Sequence, residues 1–204
     1  PSGEVSLTAD SVRLSGRDVG AVVARAHTAQ GQVRLDLEAP RFGAKASGSV
    51  TLQSPRPWTA DVTLNDTDVV QALTLLGVSQ ETVAGSTAAL SASGRADGNL
   101  DTGSLSKVTM EVRALDGQVR GQPLSLVQPA RLSLDENRLA LEPVRLMLGG
   151  LSVHAAGSWG AAGDTPAEGI AVNLEGRVED VLEYLPPASR DRLSAEGPLR
   201  VDLS

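Results

Sequence analysis

Cysteine is absent from the 204 residues. Its absence excludes a disulfide framework, a thiolate metal site and a cysteine nucleophile. Aromatic residues are nearly absent as well: Phe42, Trp58, Trp159 and Tyr184 make up 2% of the chain. Rings ordinarily dominate a compact core, so Leu, Val and Ala must fill the interior here. Two readings of that poverty stand side by side, a base composition that favours Ala, Val, Leu, Gly and Arg codons, or a smooth aliphatic surface suited to acyl chains. No run approaches the ~18 apolar residues of a membrane-spanning helix. Cationic excess is missing too, with 25 acidic against 18 basic residues and a net charge of -7. Without a basic patch or aromatic-interleaved run, the chain argues against a nucleic-acid partner. It opens on Pro1-Ser2-Gly3, with no initiator Met and no basic then apolar leader, and so reads as a piece of a longer chain.

What is abundant is alternation. From Gln32 to Glu38 the apolar Val33, Leu35 and Leu37 interleave with Arg34, Asp36 and Glu38, the pattern of a strand with one dry face. The same rhythm recurs in Val5-Leu7, Val12-Leu14, Val62-Leu64, Val108-Met110-Val112, Leu132-Leu134 and Leu139-Leu141. It continues through Val144-Leu146-Leu148, Leu151-Val153, Ile170-Val172-Leu174 and Leu199-Val201-Leu203. Gly, Pro, Asn and Asp separate the runs, as at Asp116-Gly117, Asp135-Glu136-Asn137 and Gly149-Gly150, which are turn signals. More than ten strands in short-looped succession must pair antiparallel, because a parallel pair needs a long crossover. The fold class that follows is all-β, a single elongated domain over residues 1–204.

Two segments break the period of two. Asp68 to Gly77 places Val69, Ala72, Leu73 and Leu76 on one helical stripe, with Asp66, Thr67 or Asp68 to cap it and Gly77 at its C-terminus. Glu179 to Leu185 is a second short helix, stopped by Pro186-Pro187; a further turn is expected around Ser189 to Leu193. Asp68-Val69-Val70-Gln71-Ala72-Leu73 matches Asp180-Val181-Leu182-Glu183-Tyr184-Leu185 at an offset of roughly 110 residues, the mark of an internal repeat. Gly85 matches Gly197, and Gly48-Ser49 matches Gly157-Ser158. The repeat units are expected near 41–94 and 150–204.

Residues with catalytic potential do not assemble into a motif. His27 and His154 each stand alone in a strand. The pairs Asp135-Glu136 and Glu179-Asp180 fall in a turn and at a helix start, where they serve turn geometry and the helix dipole. Ser104-Leu105-Ser106-Lys107 lacks the companion motifs of serine acylases and reads as the start of a strand. Gly94-Arg95-Ala96-Asp97-Gly98 lacks the strand-to-helix setting of a phosphate loop. The reading is a non-enzyme without cofactor or metal.

The succession of a strand ending in Gly-Ser, an alternating strand, a short apolar helix, a Gly and another strand resembles the bacterial AsmA-like superfamily. Within it, the pattern is similar to the C-terminal region of the translocation and assembly module (TamB) branch, to which Gly117-Gln118-Val119-Arg120-Gly121, Ala130 to Leu134 and Leu139 to Val144 also bear likeness. The resemblance implies an antiparallel sheet, strongly curved along its length into a U-shaped, taco-like groove. It implies a periplasmic protein anchored in the inner membrane, which moves phospholipid towards the outer membrane or supports outer-membrane protein assembly. The implied partners are phospholipid acyl chains, adjacent repeats of the same chain and an outer-membrane barrel assembly protein.

The candidate groove lining consists of the apolar members of the alternating runs. These are Val33, Leu35, Leu37, Val62, Leu64, Val108, Met110, Val112, Leu132, Leu134, Leu139, Leu141, Val144, Leu146, Leu148, Leu151, Val153, Ile170, Val172, Leu174, Leu199, Val201 and Leu203. Arg25, Arg34, Arg113, Arg131, Arg145 and Arg200 are expected on the solvated outer face. Trp58 and Trp159 are expected at turns beside the sheet, either packing over a strand end or standing at a groove rim. A one-sided sheet has three ways to hide its dry face: a second sheet, closure into a barrel, or a ligand. A sandwich or solenoid spacer without ligand, and a module that pairs its edges with other strands, therefore remain beside the lipid groove.

Overall fold

The computed structural model describes residues 2–14, 16–135, 138–162, 165–166, 169–182, 184 and 196–203. Among the described residues fourteen strands follow one another: β1 (Gly3–Leu14), β2 (Arg17–Ala29), β3 (Gln32–Ala39), β4 (Ala44–Thr51), β5 (Pro57–Asp68), β6 (Ser86–Asn99) and β7 (Ser104–Val119). Then come β8 (Gln122–Leu126), β9 (Ala130–Asp135), β10 (Arg138–Leu148), β11 (Leu151–Ala162), β12 (Thr165–Pro166), β13 (Gly169–Arg177) and β14 (Pro198–Leu203). All pair antiparallel: the tight turns allow nothing else, and the longer connections from β5 to β6 and from β13 to β14 also return the chain beside the strand it left. The two-residue β12 pairs only with the end of β11. β8 and β9 each pair with both β7 and β10. They therefore occupy a single lane, broken where Pro129 cannot donate to the ladder. Among the described residues β1 pairs with β2 alone and β14 with β13 alone.

The strands are not uninterrupted. Register shifts fall beyond Ala9 in β1, beyond Leu64 in β5, between Ser91 and Ala92 in β6, and beyond Leu141 in β10. Arg113 of β7 is skipped opposite the Ser91/Ala92 step, and the β8–β9 break lies in the next lane. Most of these irregularities sit at one level of the sheet, just past the row Ala44, Leu64, Ala92, Val112 and Ala130. Bulges bend a strand and tighten its twist, so a row of them is a crease. They also re-phase the alternation. Leu139 and Leu141 share a face with Val144, Leu146 and Leu148, although the parity of their numbers changes.

One helical segment follows β5 and another follows β13. Helix α1 (Val69–Leu75) is capped by Asp68, whose carboxylate accepts from the Gln71 amide at 3.0 Å. It ends with Gly77 at φ 101, the Gly77 amide on Thr74 O and the Val78 amide on Leu73 O, both close to 3 Å. That pair of bonds needs a left-handed residue, which glycine supplies without strain. Helix α2 (Gln80–Val83), capped by Ser79, and the 3₁₀ turn Pro40–Phe42 were not anticipated from the sequence. Both are single turns whose signals, Ser79 and Pro40, are too local to register as periodicity. Helix α3 (Val178–Leu182) begins one residue before the expected segment. The expected turn at Ser189 to Leu193 lies outside the described residues.

Asp116-Gly117 is no turn. It lies inside β7, and the chain reverses at Arg120-Gly121 instead. Gly117 is required there because a Cβ would stand 2.6 Å from Ala88 Cα across the ladder. Trp58 and Trp159 likewise belong to β5 and β11 rather than to turns.

No second layer of strands covers this sheet among the described residues. Among the described residues the buried apolar ones are Phe42, Ala92, Ala130 and Leu151. Accessible surface amounts to 13131 Å², against about 9,000 Å² for an ordinary monomer of this mass.

Candidate functional site

The register places the apolar residues in rows that cross the sheet. One row runs Val5, Ala26, Leu35, Gly48, Ala60, Ala96, Val108, Leu134, Leu139 and Trp159. The next runs Leu7, Ala24, Leu37, Ala46, Val62, Gly94, Met110, Leu132, Leu141, Gly157 and Ile170. Beyond the crease Leu126, Leu146, Val153, Leu174 and Val201 continue to β14. Val33 stands opposite Val50, Leu64 opposite Ala92, and Val112 opposite Ala130. Val144, Ala155, Val172 and Leu203 form a further row, with Leu148 opposite Leu151 and Leu199 opposite Gly176. All the residues named as candidate lining thus fall on one face.

That face is open. Leu35 is 42% exposed, Val62 42%, Met110 41% and Leu203 62%. Val33, Val172 and Val201 are half-buried, and of the candidate lining only Leu151 is buried. A sealed interior would exclude water from all of them. Half-burial is what neighbouring side chains in a single apolar layer give one another.

The surface is stepped as well as open. Gly94 leaves a notch of about 240 Å³ lined by Ala60, Val62, Val108 and Met110. At Gly98 a Cβ would come 2.7 Å from the Trp58 ring, so that indole lies across the glycine and replaces its missing side chain. Trp159, opposite Leu139, stands with 70% of its surface exposed. The small residues Ala24, Ala26, Ala46, Gly48, Ala60, Ala92, Gly94 and Ala96 were not expected in the lining from the sequence. Alanine and glycine alternate in the right phase, but their hydropathy is too weak to mark a face.

The opposite face is charged and self-neutralising. Lys45 pairs with Glu38 at 3.3 Å, Arg95 with Asp97 at 3.4 Å, Arg131 with Glu111 at 3.5 Å and Arg200 with Glu175 at 3.6 Å. Of the arginines expected there, Arg25, Arg34, Arg131, Arg145 and Arg200 stand opposite polar partners. Arg113 differs, sitting in the bulge with its guanidinium 3.4 Å from Asn65 Oδ1. His27 lies between Glu4 and Arg34, and His154 Nε2 is 3.1 Å from Ser152 Oγ.

The helices are tied to the turns at one end of the lanes. Arg17, following the β1–β2 turn, donates to Leu75 O at the end of α1 at 3.1 Å. Arg120, in the β7–β8 turn, donates to Tyr184 O just past α3 at 3.0 Å. Both place a cation at a helix C-terminus, where the partial charge is negative. Arg177 holds Glu179 at 2.7 Å, and its hydrogen bond is the main cause that lowers the Glu179 carboxyl to about 2. The lowered carboxylate also accepts from the Gly197 amide at 3.4 Å.

Compared with protein-family models, curated proteins and solved structures, the chain matches none.

Proposed function

We propose that the open apolar face is a lipid-holding surface, and that the chain is a non-enzymatic segment along which acyl chains lie. The observation that carries this reading is the run of aliphatic rows between β1 and β14 with no layer over them among the described residues. Twelve lanes at about 4.8 Å spacing form a band roughly 50 Å long. Bare in water it is costly, since burying apolar area contributes roughly 25 cal/mol per Å². A diacyl lipid supplies the missing layer. Its chains lie on Val, Leu and Ala, and its headgroup stays in solvent. The crease favours a sheet folded about that occupant, the U-shaped groove that the AsmA-like resemblance implies. Periplasmic location, membrane anchoring and a barrel assembly partner belong to the same resemblance.

Native mass spectrometry of the chain purified from bacterial envelope, with lipid extraction of the same sample, tests the proposal. Phospholipid bound in a defined ratio is the expected result. Lipid-free protein that also fails to take up phospholipid from vesicles refutes it, and a ligand-free spacer then stands.

A further inference from the structure

β3 and β4 stop at the crease, where the 3₁₀ turn Pro40–Phe42 joins them. Past it β2 runs on as Arg17 to Val22 and β5 as Thr67 and Asp68, and among the described residues no strand lies between them. The 3₁₀ turn and helices α1 and α2 border this opening and leave a cavity of about 670 Å³, a size that suits a small organic ligand. Its wall combines two chemistries. Phe42, Val70, Leu75 and Val83 supply apolar surface, and Arg17 and Arg41 bring two guanidinium groups to the same space. Asp18 is the one carboxylate among the described lining residues, so one positive charge is left over in a chain of net charge -7.

Both arginines are already held in place. Arg17 donates through Nη1 to Leu75 O at 3.1 Å. Arg41 lies across Gly20, where a Cβ would come 3.2 Å from Arg41 Cδ. It donates through Nη1 to Asp18 Oδ2 at 3.1 Å, while Asp18 Oδ1 accepts from the Gly20 amide at 2.9 Å. Among the described bonds each guanidinium uses Nη1 alone. The Nε and Nη2 hydrogens of each remain for an acceptor with paired oxygens, the geometry a phosphate offers.

We propose that this cavity binds an amphiphile carrying one phosphodiester, its phosphate on Arg17 and Arg41 and its alkyl part against Val70, Leu75 and Val83. The single negative charge of the diester matches the surplus positive charge of the lining. An inorganic ion would meet the arginines but leave the apolar wall wet, whereas an alkyl ester covers both. The site lies past the crease, among other residues than Leu35, Val62 and Met110, and stands whether or not lipid occupies the open face.

Titration of the isotope-labelled chain with dihexanoylphosphatidylglycerol below its micelle concentration, followed by amide NMR, is the test. Saturable shifts at Gly20, Gln71 and Ala84 are expected. Inorganic phosphate, which lacks the alkyl part, and monohexanoylglycerol, which lacks the phosphate, should each bind at least about tenfold more weakly. Arg41→Gln removes a donor, and Val83→Glu adds a repelling charge while leaving both arginines in place. Each should raise the Kd at least about tenfold, with circular dichroism showing that sheet and helices persist. Arg41→Lys keeps the charge without the fork and should fall between Arg41→Gln and the unchanged chain. Leu35→Asp, on the open face, should leave this titration as it is. The inference is overturned if those three amides do not shift, if inorganic phosphate binds as tightly as the ester, or if Arg41→Gln and Val83→Glu bind undiminished. Shifts confined to the open face and abolished by Leu35→Asp also overturn it, while leaving the acyl-chain reading of that face intact.

Discussion

At the scale of single residues, the face depends on where side chains are missing as much as on where they are large. Gly98 lies beneath the Trp58 indole, and a Cβ there would meet the ring at 2.7 Å. Gly98→Ala must therefore displace the ring or the strand, at about 1–3 kcal/mol for an overpacked site. Denaturant unfolding should show the loss, and Trp58 emission should shift to the red as the ring leaves its glycine. Unchanged emission and stability would mean that the indole does not lie there. This contact was invisible in the sequence, where Trp58 follows a Pro-Arg-Pro stretch and reads as a turn residue. Forty residues separate it from its glycine, and only the ladder brings them together.

Single elements were largely legible where their signals are local. Asp68 and Gly77 bracket α1 as helix caps do, so Asp68→Ala should cost about 1 kcal/mol, measured as a lowered denaturation midpoint, while Asp68→Ser retains most of it. The α3 junction makes a pH prediction. Glu179 is lowered from 4.5 to about 2 by Arg177. A lowered carboxyl contributes above its unfolded value and loses that contribution as pH falls through the folded one. The Glu179 link to Arg177 and Gly197 should therefore be complete at neutral pH and fade between about 4.5 and 2. Carboxyl-detected NMR should place the Glu179 midpoint well below that of an ordinary glutamate. Glu179→Gln should speed hydrogen exchange at the Gly197 amide even at neutral pH. Bulges were less legible than caps. The jump from Leu141 to Val144 breaks the period of two, and without its neighbours it reads as two strands rather than one strand with a bend.

For the molecule as a whole, the decisive property is that no second layer of strands lies over the sheet among the described residues. Introducing Asp into a packed core leaves a buried charge without a partner and unfolds the chain. On a face where Leu35 is 42% exposed, the charge keeps contact with water. Leu35→Asp should therefore leave the far-ultraviolet circular dichroism of the sheet in place and cost little stability. If lipid occupies the face, the same variant should bind markedly less phospholipid from vesicles. Global unfolding by Leu35→Asp would show that the face is closed in solution and would leave only a scaffold role.

Alternation, turn residues and antiparallel order are consequences of local chemistry, so the sequence alone determined the all-β class, the strand succession and the division of residues between a greasy and a charged side. The chain could not announce which strands share a lane, where the bulges align, or that Trp159 stands exposed within β11. Those depend on register, a relation between residues far apart in the chain. Nor does period two distinguish a buried face from a bare one, because a sandwich and a single sheet place the same side chains at the same positions. Only the tertiary structure showed that, among the described residues, no layer of strands lies over the apolar rows.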